Sequence, residues 1–183
     1  MQTRRAYIVS GPVSSGNRTL AAILVRSGCR GEGSHRQPQT AGELLRPGPK
    51  GAPCVIIKHG NLAHWCASLR AIGWERVTVL ILVREPEANA RSMVKHRHCP
   101  DLDTARRLRV RSIRQNLNDA TFHADAWHIV TYEGLTEEAL RVWLPTIGLD
   151  YVAGPLSLPG QNTPRKIANQ NAKHYRAAES KAA

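Results

Sequence analysis

The chain has 183 residues, with 26 Lys plus Arg against 14 Asp plus Glu and 8 His, a net charge of +12 with His neutral. Hydrophobic residues make up 42% and charged residues 22%, which excludes a mainly disordered chain, a collagen-like chain and a coiled coil. No apolar run approaches the roughly 18 residues of a membrane span. The first residues, MQTRRAYIVSGP, lack the apolar stretch of a secretory signal, so a cytoplasmic protein is expected. The four cysteines, Cys29, Cys54, Cys66 and Cys99, show no CxxC spacing and read as reduced thiols.

The length fits one domain over residues 1–176, with 177–183 as a frayed tail. RAYIVS (5–10) is a short apolar β-type run. GPVSSGNRT follows it, and TLAAILVRSG then has the spacing of an amphipathic helix stopping at Gly28. Residues 30–52 are rich in Gly, Pro, Gln and Arg and read as a long loop. CVIIKH (54–59) is a second strand, and LAHWCASLRAIG (62–73) a helix with a glycine stop. RVTVLILV (76–83) is the clearest strand, apolar almost throughout, as suits a parallel sheet covered on both faces. A helix with Pro in its first turn is predicted over 86–96, then one capped by Asp103 over TARRLRVRSIRQNLNDA. AWHIVTY (126–132) is a fourth strand, and 135–148 a last helix with Thr136 as one possible cap and a bend or end near Pro145. This alternation predicts an α/β protein, a three-layer α/β/α sandwich around a central parallel sheet, similar to P-loop NTPases. The four tryptophans, Trp65, Trp74, Trp127 and Trp143, are expected in the core.

The positive charge is concentrated. Residues 1–50 hold 8 basic and 2 acidic residues, and residues 84–115 hold 9 and 4. Such a balance points to an anionic partner: nucleic acid, a multiply charged cofactor or an anionic acceptor. An ordinary basic surface is the alternative. RRLRVRSIR (106–114) is the densest run and reads as a solvated helix face able to bind nucleic acid or steer an anionic acceptor. HRHCPDLD (96–103) carries metal-ligand residue types, but its spacing matches no standard zinc site, so no metal is expected.

Two motifs carry chemistry. GPVSSGNRT sits between a strand and a helix, where backbone N–H groups and the helix dipole favour an anion. Gly11, Pro12 and Gly16 shape the turn, and Ser14, Ser15, Asn17, Arg18 and Thr19 add donors or charge. The GxxxxG spacing matches a Walker A loop, yet Asn17 and Arg18 replace its Lys and Ser/Thr. In LILVREPEANARSMVKH (80–96), Arg84 ends the strongest strand and Ser92 lies on the next helix. Both can converge on one phosphate at the edge of a parallel sheet where ligands sit.

Together these segments resemble the sulfotransferases that use 3′-phosphoadenosine 5′-phosphosulfate. GPVSSGNRTL is similar to the family's loop for the 5′-phosphosulfate, VREPEANARSM to its Arg and Ser segment for the 3′-phosphate, and VTYEGL to its YEDL segment, with Tyr132 as an adenine neighbour. The resemblance covers most of residues 5–150 in the right order. It implies a sulfuryl transferase acting on a hydroxyl or amine acceptor, without a metal. CVIIKHG is similar to the family's KTH-type strand end, which makes Lys58 and His59 candidates for electrostatic stabiliser and base, with Arg18 as a further cation. The histidine stands one position early, so His64 and His35 are alternative bases. Ser14 occupies the place of a basic loop residue. Arg165 and Lys166, in TPRKIANQNAKHY, are candidates for the family's C-terminal basic segment that covers the cofactor. The competing readings are a small P-loop kinase or nucleotide-binding protein with a degenerate loop, a non-catalytic basic nucleic-acid-binding module, and a cofactor-binding fold without turnover. Acceptor identity and oligomeric state are not written in the sequence.

Overall fold

The computed structural model describes residues 3–31 and 51–154. Four strands form one all-parallel sheet: β1 (Arg5–Ser10), β2 (Cys54–Ile57), β3 (Arg76–Val83) and β4 (Ala126–Thr131), in the spatial order β2-β1-β3-β4. Five helices complete the fold: α1 (Asn17–Arg26), α2 (Leu62–Ala71), α3 (Pro86–Lys95), α4 (Leu102–His123) and α5 (Glu137–Thr146).

The period of two along each strand divides the core into two sides. Tyr7, Val9, Val55, Ile57, Leu80 and Leu82 face one way and pack on Leu20, Ile23 and Leu24 of α1 and on Leu140 and Leu144 of α5. Ala6, Ile8, Ile56, Val77, Val79 and Ile81 face the other way, toward Leu62, Trp65, Cys66 and Leu69 of α2 and Ala120 of α4. The result is a three-layer α/β/α sandwich, the architecture expected from the alternating runs. A smaller cluster, Ala90, Met93, Cys99 and Ala105, joins α3 to α4.

The helix boundaries follow local chemistry. At the end of α1, the Gly28 amide donates to the Val25 carbonyl and the Cys29 amide to that of Leu24, so the backbone folds back at the predicted glycine. Glu85 caps α3 through its carboxylate, which accepts from the amides of Glu87 and Ala88, with Pro86 in the first turn. Thr136 caps α5, which ends one residue beyond Pro145.

Three expectations need correction. α4 is capped by Asp101, not Asp103: the Asp101 carboxylate accepts from the Thr104 amide at 2.7 Å and from its hydroxyl at 2.9 Å. Asp103 instead lies in the first turn and pairs with Arg106 at 2.8 Å. Trp127 is not a core residue. It is 42% exposed because β4 is an edge strand whose burial alternates, and helices cover only part of the face carrying Trp127 and Ile129. The second strand stops at Ile57, although the Lys58 amide still donates to the Val9 carbonyl before the chain turns at His59. The segment 32–50 and the tail from residue 155, with His35, Arg165 and Lys166, lie outside the described residues.

Candidate active site

The strand order fixes where a crevice forms. From β1 the chain passes through α1 to β2 on one side. From β3 it passes through α3 and α4 to β4 on the other. The connections diverge between β1 and β3, and the carboxyl ends of those strands leave the opening in which open α/β sheets hold ligands. The loop 11–16 and Arg84 flank this point.

The loop is built by two glycines and internal hydrogen bonds. Gly11 has φ +145° and Gly16 φ +96°. A Cβ on Gly11 would stand 2.2 Å from the Leu82 carbonyl oxygen, and one on Gly16 would stand 2.3 Å from Cε2 of Tyr132. Ser14 also takes a left-handed backbone, φ 65°. The Ser15 amide and hydroxyl both donate to the Pro12 carbonyl, at 3.2 and 2.7 Å. No side chain caps α1 at Gly16, which leaves the positive end of the helix dipole facing the loop.

Neighbouring elements clamp this loop. Arg84 donates from Nη1 to the Ser14 carbonyl at 3.4 Å, and its guanidinium lies 5.4 Å from the centre of the Tyr132 ring. The Asn89 side chain donates from Nδ2 to the Val13 carbonyl at 3.0 Å. Tyr132 is 4% exposed, packs against Gly16 and hydrogen-bonds the Thr19 side chain. Its ring is therefore a wall of the loop rather than an open stacking platform. Burial lowers the Arg84 pKa from its ordinary value, but a guanidinium stays charged at any physiological pH. Its Nε is buried without a partner among the described residues. Ser92 stands one helical turn beyond Asn89, half-buried.

Asn17 occupies the place of the Walker lysine but is turned inward and 4% exposed. Its side chain meets the Ser15 hydroxyl, the Gly11 carbonyl and Nδ1 of His59, the last at 3.2 Å. His59 Nδ1 is also 3.2 Å from the Gly11 carbonyl. In the tautomer with the proton on Nδ1, that nitrogen donates to Gly11 and Nε2 keeps a free lone pair. The residue is exposed as a whole while its Nδ1 edge is enclosed. Desolvation, followed by the charges of His98, Arg18 and Lys58, outweighs the Gly11 bond and lowers its pKa below the ordinary imidazole value. These surroundings favour the neutral form of His59, which can accept a proton.

Lys58 and Arg18 are placed differently from each other. Lys58 is buried, with Nζ 3.6 Å from the centre of the Trp65 ring. Its charge is satisfied partly by that aromatic face, on the α2 side of the sheet. Arg18 is exposed on the first turn of α1 and close enough to act electrostatically on His59. His64 lies on α2, its Nε2 3.5 Å from the Ser68 hydroxyl.

Sequence reading overlooked Asn89 and Arg109. Asn89 is fully buried and sits three residues before Ser92, on the same helix face. That spacing was the available signal. Arg109, from the basic run of α4, donates to the Arg84 carbonyl at 3.2 Å, a long-range contact that no local pattern announces. Among the described residues, no group of three His, Cys, Asp or Glu side chains has the arrangement of a metal site, and the rings of His96 and His98 lie 6.3 Å apart. No helix among the described residues is long and apolar enough to cross a membrane. No family model matches this sequence, and no curated protein matches it either.

Proposed function

We propose that the protein is a sulfotransferase that uses 3′-phosphoadenosine 5′-phosphosulfate and acts on a hydroxyl or amine acceptor. One observation carries the reading: the glycine loop after β1 and Arg84 after β3 meet at the divergence of the sheet, joined by the Arg84–Ser14 hydrogen bond. Two separated segments that resemble the two phosphate-binding parts of one family thus lie against each other at the carboxyl end of the sheet. The residues suit a bisphosphorylated nucleotide. Gly11 and Gly16 leave no room for side chains in the loop, and Arg84 keeps a buried Nε–H without an acceptor among the described residues.

In this reading the loop amides and the α1 dipole bind the 5′-phosphosulfate, and Arg84 with Ser92 binds the 3′-phosphate. Tyr132 holds the loop against Arg84. The Gly11 carbonyl, accepting from Nδ1–H, orients His59, whose Nε2 removes the acceptor proton, while Asn17 packs beside the Nδ1 edge. Arg18 adds positive charge where negative charge grows on the leaving oxygen. Lys58 contributes at longer range. When bound, the cofactor supplies the sulfuryl group, whose bond to the bridging phosphate oxygen breaks as the acceptor oxygen or nitrogen bonds to sulfur. Arg165 and Lys166 are proposed as further cofactor contacts.

Calorimetric titration with adenosine 3′,5′-bisphosphate tests this, beside ATP with magnesium and with Arg84→Ala. The expected result is bisphosphate binding that the substitution weakens by at least 100-fold. ATP–magnesium binding without bisphosphate binding would overturn the proposal in favour of a nucleotide kinase.

A further inference from the structure

The densest run of arginines in the sequence, on α4, lies outside this crevice. Between Asp103 and Asp119 the chain carries five arginines and no carboxylate. At 100° per residue, Arg107, Arg111, Arg114 and Asn118 fall within a sector of about 60° on α4. Phe122 extends that stripe toward the helix end. The sector lies opposite Ala105, Asn116 and Ala120, the buried residues of α4, so it faces away from the sheet and the crevice.

The arginines of this helix are not equivalent. Arg106 is committed, with Nε and Nη2 on the Glu87 carboxylate and Nη1 on Asp103, all at 2.8 Å. Arg109 turns inward to the Arg84 carbonyl. Arg107 donates only to the Thr104 hydroxyl, at 3.2 Å, and Arg111 and Arg114 have no partner among the described residues. A shallow open groove of about 880 Å³ follows the same face, lined by Arg107, Arg111, Arg114, Gln115 and Asn118 and, along one edge, by Val110 and Leu117. Phe122, beyond it, is 73% exposed.

We infer that the outer face of α4 is a docking surface for single-stranded nucleic acid. The charge complementarity is specific in kind. Guanidinium forks suit phosphate oxygens. Gln115 and Asn118 offer neutral donors and acceptors between Arg114 and Phe122. Phe122 supplies a ring on which one base can stack, the combination that holds single strands without reading their sequence. The stripe from Arg107 to Phe122 is about 22 Å long, enough for several nucleotides. A membrane surface fits less well, because the apolar side chains beside the stripe are few and divided, with Leu108 on one flank and Val110 and the partly buried Leu117 on the other. This surface is independent of the proposed transferase site.

The test is fluorescence anisotropy of the full chain with a labelled 20-residue oligo(dT), from 50 to 300 mM salt. Each phosphate contact contributes about 0.7 to the logarithmic salt slope. The triple variant Arg107→Gln/Arg111→Gln/Arg114→Gln is therefore expected to lower that slope by about 2 and to weaken binding at least tenfold at 100 mM salt. Phe122→Ala is expected to weaken it about tenfold with the slope unchanged. A control triple with the same charge change, Arg4→Gln/Lys95→Gln/Arg141→Gln, should leave the slope nearly intact. Circular dichroism verifies that each variant is folded, and bisphosphate binding should survive in all of them. Loss of equal size in both triples, no oligonucleotide binding by the parent chain, or binding to phosphatidylserine vesicles without binding to the oligonucleotide would overturn the inference.

Discussion

Gly16→Ala probes the site at its tightest point. Two costs add. The backbone stands at φ +96°, where an L side chain is disfavoured by about 1–2 kcal/mol. The new Cβ would also stand 2.3 and 2.4 Å from Cε2 and Cδ2 of Tyr132. Ordinary contact begins near 3.4 Å, so the ring must retreat by about 1 Å. Tyr132 is buried between the loop and the Arg84 guanidinium, and overpacking of this kind costs about 1–3 kcal/mol. The sum is about 2–5 kcal/mol, a large part of the stability of a domain this size. A double-mutant cycle with Tyr132→Ala separates the terms. Without the ring, Gly16→Ala should cost only the backbone part, so urea denaturation should give a coupling of about 1–3 kcal/mol. A coupling below about 0.5 kcal/mol would show that the loop and ring do not press on each other as described. In the folded fraction, a displaced ring moves Arg84 and should weaken bisphosphate binding.

Other outcomes follow from named contacts. Asp101→Ala should lower the midpoint of thermal denaturation through loss of the α4 cap, while Asp103→Ala, which removes only an exposed pair with Arg106, should lower it by less than half as much. The folded-state pKa of His59 lies below its unfolded value, so the unfolded chain binds the extra proton first. The His59 contribution to stability should therefore be complete above about pH 6.5 and be lost on acidification below it. His59→Gln should blunt the acid loss of stability without abolishing it, since the His128 pKa is lowered in the same direction, mainly by burial. In the proposed reaction, His59→Gln should lower kcat and remove the acidic limb of its pH profile, with bisphosphate affinity kept within a few fold. Burial pushes the Cys29 and Cys54 thiols up to about 12 and the Cys66 thiol up to about 11. These thiols should resist iodoacetamide at pH 8 in the native protein and react after unfolding, as followed by mass spectrometry; rapid native alkylation would contradict the packing.

The fold was legible because its signals are local and redundant. RAYIVS, CVII and RVTVLILV are nearly continuous apolar runs, and all three are strands buried along nearly their whole length. AWHIVT carries the same β-type residues, but whether a strand is central or at the edge depends on pairing, and only strand order reveals that Trp127 is half open to solvent. Asp101 and Asp103 are equally good caps by type, and the choice between them depends on where the turn after α3 delivers the chain. The site divides along the same line. Gly11, Gly16 and Arg84 announce themselves by residue type next to a strand end. The inward turn of Asn17, the Asn89–Val13 bond and the Arg109–Arg84 bond depend on packing across elements.

Asn17 also constrains the chemistry that this crevice can perform. In a nucleotide-triphosphate loop of this spacing, the residue after the second glycine extends a charged ammonium to the outer phosphates. Here that residue is a neutral amide, buried and shared among Ser15, Gly11 and His59. It cannot reach outward without abandoning the loop and the histidine. Arg18 replaces the hydroxyl that would hold magnesium. Positive charge at this site therefore comes from the loop amides, the α1 dipole, Arg18 at the rim and Arg84 across the crevice. That distribution suits a ligand with two separated anionic groups better than a metal-bridged triphosphate. It predicts that Asn17→Lys should not restore ATP–magnesium binding. The substitution should loosen His59 and put a charge beside its Nδ1, lowering the imidazole pKa further, which a histidine-resolved NMR titration would detect. Tight magnesium-dependent ATP binding by that variant would show that the loop is a triphosphate cradle lacking only its lysine.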